Sequence, residues 1–107
     1  MRNFLALTFL LAGCTTTTEE MQNKAPEMRL TSARAPNEIE QCVSLKLSSL
    51  GKASTIRGQG HRIIDVGGVG SSAMTVTITD GSPNLVEVRW SVPVMNRKWK
   101  DKVRSCT

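Results

Sequence analysis

The residue types most able to do chemistry in this chain are few: one His, three Cys, nine Asp or Glu and a basic run near the end. His61, Asp65 and Ser71 or Ser72 are the ingredients of a nucleophilic triad. No Gly-x-Ser-x-Gly elbow accompanies them, and any chain of this size holds the same types. A single His beside a turn, with no Cys or carboxylate at ligand spacing, reads as a surface or packing residue rather than a metal ligand. Gly67-Gly68-Val69-Gly70-Ser71-Ser72 is glycine-rich and follows an apolar alternation. It has no phosphate-loop Lys and no helix after it, so it reads as a hairpin turn. No paired carboxylates, metal cluster or activated nucleophile stand out, and neither enzyme activity nor a cofactor is expected.

One segment carries a surface chemistry. Arg97-Lys98-Trp99-Lys100-Asp101-Lys102-Val103-Arg104 is basic, amphipathic and bears a Trp. Arg97, Lys98, Trp99, Lys100, Lys102 and Arg104 together suit an anionic surface such as lipid head groups or lipopolysaccharide. The competing reading packs Trp99 and Val103 on a sheet and leaves the lysines as a solvated face. Nucleic acid is not expected, because the basic residues lack interleaved aromatics on a sheet face.

The N-terminus reads as an export signal. Arg2 and the α-amine give a positive start, Phe4 to Leu11 form an apolar run, and the small residues Ala12 and Gly13 precede Cys14. The apolar run is too short to span a bilayer. Leu11-Ala12-Gly13-Cys14 closely resembles the lipobox of bacterial lipoproteins. That resemblance implies a signal peptide over 1–13, a Cys14 thiol that is diacylglycerated, and a new N-terminal amine that receives a further chain such as palmitate. Two or three acyl chains hold stably where one holds marginally. In the Gram-negative family an Asp after the cysteine favours the inner membrane. Thr15 stands there instead, which implies the outer membrane, facing the periplasm.

With Cys14 given to lipid, Cys42 and Cys106 remain, and an exported compartment is oxidising. Only one intramolecular disulfide can then form. Closing so long a loop stabilises by roughly 4 kcal/mol in the chain-entropy picture. The alternatives are a bridge to a partner protein and a redox pair, the latter without a Cys-x-x-Cys spacing.

These residues need elements to hold them. Residues 14–35 are polar and without sustained period, and read as a flexible tether averaging roughly 25 Å and reaching about 70 Å at full stretch. Met28 and Leu30 are the only hint there of a strand. Residues 36–107 make one small α+β domain. Asn37 and Glu40 suggest a capping box at the start of a helix carrying Ile39, Cys42, Val43, Leu47 and Leu50, with Gly51 as its C-cap. The period then shifts toward two. Ala53 to Arg57 and His61 to Val66 flank the Gly58-Gln59-Gly60 turn. Met74, Val76 and Ile78 alternate with threonines, and Val86, Val88, Trp90 and Val92 alternate with polar residues. Pro93 closes the last strand, and Met95, Trp99, Val103 and Cys106 recur at helical spacing.

The predicted fold is an N-terminal helix, a four-stranded antiparallel meander and a short C-terminal helix, with both helices on the sheet's apolar face. This order, with a Cys in the first helix, is similar over roughly Asn37 to Trp90 to small Gram-negative envelope lipoproteins, a resemblance that implies no particular activity. The function expected is a non-enzymatic binding or scaffolding module, held to the membrane by lipid and meeting an envelope protein or an anionic lipid. The rivals are a small component of a secretion or conjugation machine, and an inhibitor of a cell-wall hydrolase. The absence of Tyr departs from the lipid-anchored lysozyme inhibitors, whose motifs carry tyrosine.

Overall fold

In the computed structural model the described residues are 18–67, 72–91 and 97–107. The expectations for the leader, Cys14, the Gly68–Ser71 turn and the Val92–Met95 stretch lie outside them. In chain order the elements are α1 (Thr18–Gln22), β1 (Met28–Ser32), α2 (Pro36–Leu47), β2 (Lys52–Gly58), β3 (His61–Gly67), β4 (Met74–Thr79), β5 (Asn84–Trp90) and α3 (Arg97–Arg104). The strands form one sheet in the order β1-β5-β4-β3-β2, antiparallel at every pairing.

This corrects the four-stranded meander with two helices. The described residues form five strands and three helices. The fifth strand comes from the stretch read as tether: Met28 lies opposite Val88 and Leu30 opposite Val86. Met28 is buried and Leu30 half-buried against the core. The reason is an open edge. Without β1, the apolar side of β5 would end at Val86 and Val88 with its backbone groups unpaired, and two apolar residues two apart suffice to cover it.

The two sheet faces follow from the period of two. On the inner face lie Ile64 and Val66, then Met74, Val76 and Ile78, then Val86 and Val88, all fully buried. Ile39, Val43 and Leu47 of α2 recur four apart, which places them on one helical stripe over this face. Val103 of α3 and Cys106 complete the same core. β4, in the middle of the sheet, is buried on both sides from Met74 to Ile78. Its outer residues Thr75 and Thr77 lie under α1, on the face opposite α2 and α3. Helices therefore lie on both faces, where one face was expected.

Both ends of α2 differ from expectation. Its N-cap is Ala35, with no side-chain hydrogen bond, and Pro36 occupies the first turn. Proline's fixed φ preorganises a helix start and its missing N–H costs nothing there. Asn37 therefore sits inside the helix, and Glu40 is engaged elsewhere. At the other end Ser48 is the C-cap, its hydroxyl donating to the Leu45 carbonyl at 2.7 Å. Gly51 instead begins the passage into β2, where an added Cβ would stand 3.3 Å from the Gly67 carbonyl oxygen. The β2–β3 hairpin turns through Gln59 and Gly60, and Gly60 takes φ +72°, a region side chains disfavour.

Candidate functional site

The best-defined side-chain chemistry lies around α3. A disulfide joins Cys42 on α2 to Cys106 just beyond α3, closing 64 residues of chain with a Cα–Cα distance of 5.6 Å. Three further ties secure this end. Ser32 Oγ donates to the Thr107 carbonyl at 2.9 Å, Arg34 Nη1 to the Cys106 carbonyl at 3.3 Å, and Lys46 Nζ to Ser105 Oγ. The basic helix is thus held rigidly on the domain.

The structure separates the six candidate surface residues. Arg97 and Lys98 are exposed. Trp99 is half-buried and packs against the core, flanked by Lys98 and Lys102, whose Nζ atoms lie 5.5 and 5.4 Å from its ring centre. Lys100 lies 5.2 Å over the ring of Trp90, at the end of β5. Arg104 is drawn to Asp101 at 3.1 Å and to Met28 Sδ at 3.6 Å. Cations over indole faces are individually weak at a surface, but they hold the lysine stems against apolar area. The packing reading therefore accounts for Trp99, while Arg97, Lys98 and Arg104 are exposed and Lys100 and Lys102 are half-buried.

A second charged cluster sits at the opposite edge. Glu40, whose side chain is 10% exposed, receives Arg57 in two-pronged fashion, Nε to Oε1 at 3.1 Å and Nη2 to Oε2 at 2.6 Å. Arg62 Nη1 reaches Oε1 at 3.3 Å. The hydrogen bond from Arg57, helped by both guanidinium charges, holds the Glu40 carboxyl below its usual range, with burial opposing. This is an ion-pair cluster that ties α2 to β2 and β3, with the Arg57 guanidinium largely in solvent. Sequence reasoning placed Glu40 at a cap; its partners lie 17 and 22 residues away, beyond any local pattern.

The triad ingredients do not assemble. His61 is exposed, with Nδ1 3.2 Å from the Gln59 carbonyl. Asp65 lies four residues along the same strand, about 13 Å away at ordinary strand rise. Ser72 is buried, and its carbonyl accepts from Ser91 Oγ at 2.8 Å. Among the described residues, no group of three or more His, Cys, Asp or Glu side chains is gathered for a metal ion. None of their helices is long and apolar enough to cross a membrane.

The outer sheet face holds a feature not anticipated from the sequence. The Gln22 amide of α1 donates to Thr75 Oγ1 at 3.2 Å and accepts from Thr77 Oγ1 at 3.0 Å. Just beyond, Arg89 Nε donates to the Lys24 carbonyl at 2.8 Å, and Lys24 Nζ donates to the Trp90 carbonyl at 3.2 Å. Met21 is fully buried. The buried threonines of β4 were the available signal, since paired hydroxyls under cover require partners. Comparison with family models, with curated proteins and with solved structures finds no match.

Proposed function

We propose that this chain is a lipid-anchored protein of the bacterial cell envelope that acts by binding rather than by catalysis. The observation that carries the reading is the use of its three cysteines. Cys42 and Cys106 are joined to each other, which suits an oxidising compartment. Cys14 is left over, directly after Leu11-Ala12-Gly13. A thiol in that setting is the acceptor for lipid, and acyl chains would retain a small domain none of whose described helices is long and apolar enough to cross a membrane. Thr15 after the cysteine favours the outer membrane, with the domain in the periplasm.

The binding surface proposed is the exposed part of α3, centred on Arg97 and Lys98, with the half-buried Lys100 beside them. It is held stiffly by the disulfide and by Trp99 packed against the core, so little ordering entropy is lost when it meets an anionic envelope partner. Contacts made by exposed cations weaken as salt shortens the Debye length. Co-purification of the full-length lipoprotein from native envelopes tests this. An anionic partner should be retained at low salt, released at high salt and lost from the Arg97→Glu/Lys98→Glu variant. A partner retained equally by both proteins would remove α3 from the account.

A further inference from the structure

The outer face of the sheet is only partly covered. By register, Ile56 of β2 lies directly opposite Ile63 of β3, and both point to the side of Thr77. Ile56 is 51% exposed, one of two large hydrophobic side chains standing in solvent among the described residues. Ile63 and Leu85, on the same face, are half-buried. Lys52 shares the Ile56 side of β2, and Arg29 stands on the same face of β1, its Nε 3.0 Å from Glu87. α2 and α3 occupy the other face of the sheet; the second exposed side chain, Leu45 at 75%, stands on the solvent side of α2 rather than on the sheet.

The lipid anchor proposed above starts on this same outer side. Gln22 is clasped to Thr75 and Thr77, and Lys24 is fixed to β5. α1 is five residues long, so its first residue lies within about 8 Å of that clasp. From Thr18 back to Cys14 is four residues of chain, a reach of about 14 Å at most. The leash is therefore not the long tether the polar composition suggested. Strands sit about 4.8 Å apart, so β2 lies within the compass of this leash. The exposed side of α3 stands beyond both the sheet and a further helix diameter of about 10–12 Å.

We infer that the outer sheet face is the membrane-facing side of the anchored protein, with Ile56 seated at head-group level and α3 presented away from the bilayer. This rests on acylation of Cys14. An exposed isoleucine with long basic side chains on the same face suits the interfacial zone, where apolar groups settle among head groups and amine heads stay wet. Lys24, Lys52, Arg29 and Arg89 are offset by Glu19 and Glu20 of α1, by Asp65 and by Glu87. Contact is thus set by the leash and by apolar burial rather than by net charge. It leaves the basic helix free for the anionic partner.

Tryptophan quenching by brominated phospholipids tests the orientation, with lipidated full-length protein in vesicles of phosphatidylethanolamine and phosphatidylglycerol. The native Trp90 and Trp99 should keep their emission. Ile56→Trp should add a component that loses most of its intensity to bromines near the head groups, at low and high salt alike. Quenching of the native tryptophans, in a protein that needs no substitution, overturns the inference by placing α3 on the membrane. Floating protein with no quenched component in Ile56→Trp overturns it by leaving the domain off the surface. Protein that carries no acyl mass and does not float removes the anchor itself, and is told apart by intact mass.

Discussion

Cys42 and Cys106 are bonded across 64 residues of chain, from the middle of α2 to the residue just past Ser105. The bond clamps the C-terminal helix to the first long helix on one face of the sheet. A core without Tyr or Phe in its described residues has little large-ring area to bury, so this covalent closure bears much of the domain's stability.

Reduction should therefore soften the domain strongly. Cys42→Ser/Cys106→Ser is expected to lose roughly 2–5 kcal/mol. Thermal melting with and without reductant reads this directly. Equal melting points in the two conditions would show that packing alone secures α3.

The first strand should be an integral part of the sheet. Met28 is buried against Val88, and Met28→Ala should cost about 2–4 kcal/mol. Urea unfolding of the variant is the check, and a loss below a few tenths would mean that β1 adheres loosely. This strand was hard to read in advance. Its five residues, Met-Arg-Leu-Thr-Ser, offer only two apolar positions, whereas β4 and β5 each show three in alternation. The strands of the meander were legible because each buries a face that the sequence writes out. The edge that β1 fills is a property of the assembled sheet. α1 is less legible still, since its anchor to the sheet is one amide and one methionine.

The α1 clasp should open independently of the core. Gln22→Ala removes two hydrogen bonds to the threonines, each worth about 1 kcal/mol net. Amide exchange over 18–24 should quicken while β4 and β5 keep their protection. Unchanged exchange over 18–24 would mean that Met21 alone holds the segment.

Glu40 gives the fold an acid-sensitive edge. Its carboxyl is held below the usual value by the hydrogen bond from Arg57 and by the charges of Arg57 and Arg62. The unfolded chain thus takes up a proton at higher pH than the folded one. The resulting stability is fully present above the unfolded value and is lost as pH falls through the folded one. Glu40→Gln should lower stability near neutrality, modestly because Arg57 is largely exposed and its charge is screened, and by less in acid, where the native carboxyl takes up its own proton. Denaturant midpoints across pH 3 to 7 (a range about the ordinary carboxylate value) measure it. A variant whose deficit stays constant over that range would place its cost in packing.

The cap of α2 shows why the same carboxylate was misread. Asn-x-x-Glu has the spacing of a capping box, yet Pro36 one residue earlier starts the helix and turns Glu40 toward β2 and β3. A local motif yielded to two arginines that only the hairpin brings near. The basic residues of α3 were legible as a set, but their division between indole faces, backbone and solvent depends on where Trp90 falls in the sheet.

The most direct test of the whole account is intact mass of the protein isolated from its native membranes, together with metabolic palmitate labelling. The account predicts a mature chain beginning at Cys14, carrying acyl mass, with label that disappears in Cys14→Ser. A chain that retains Met1, or label that persists in the mutant, would contradict it.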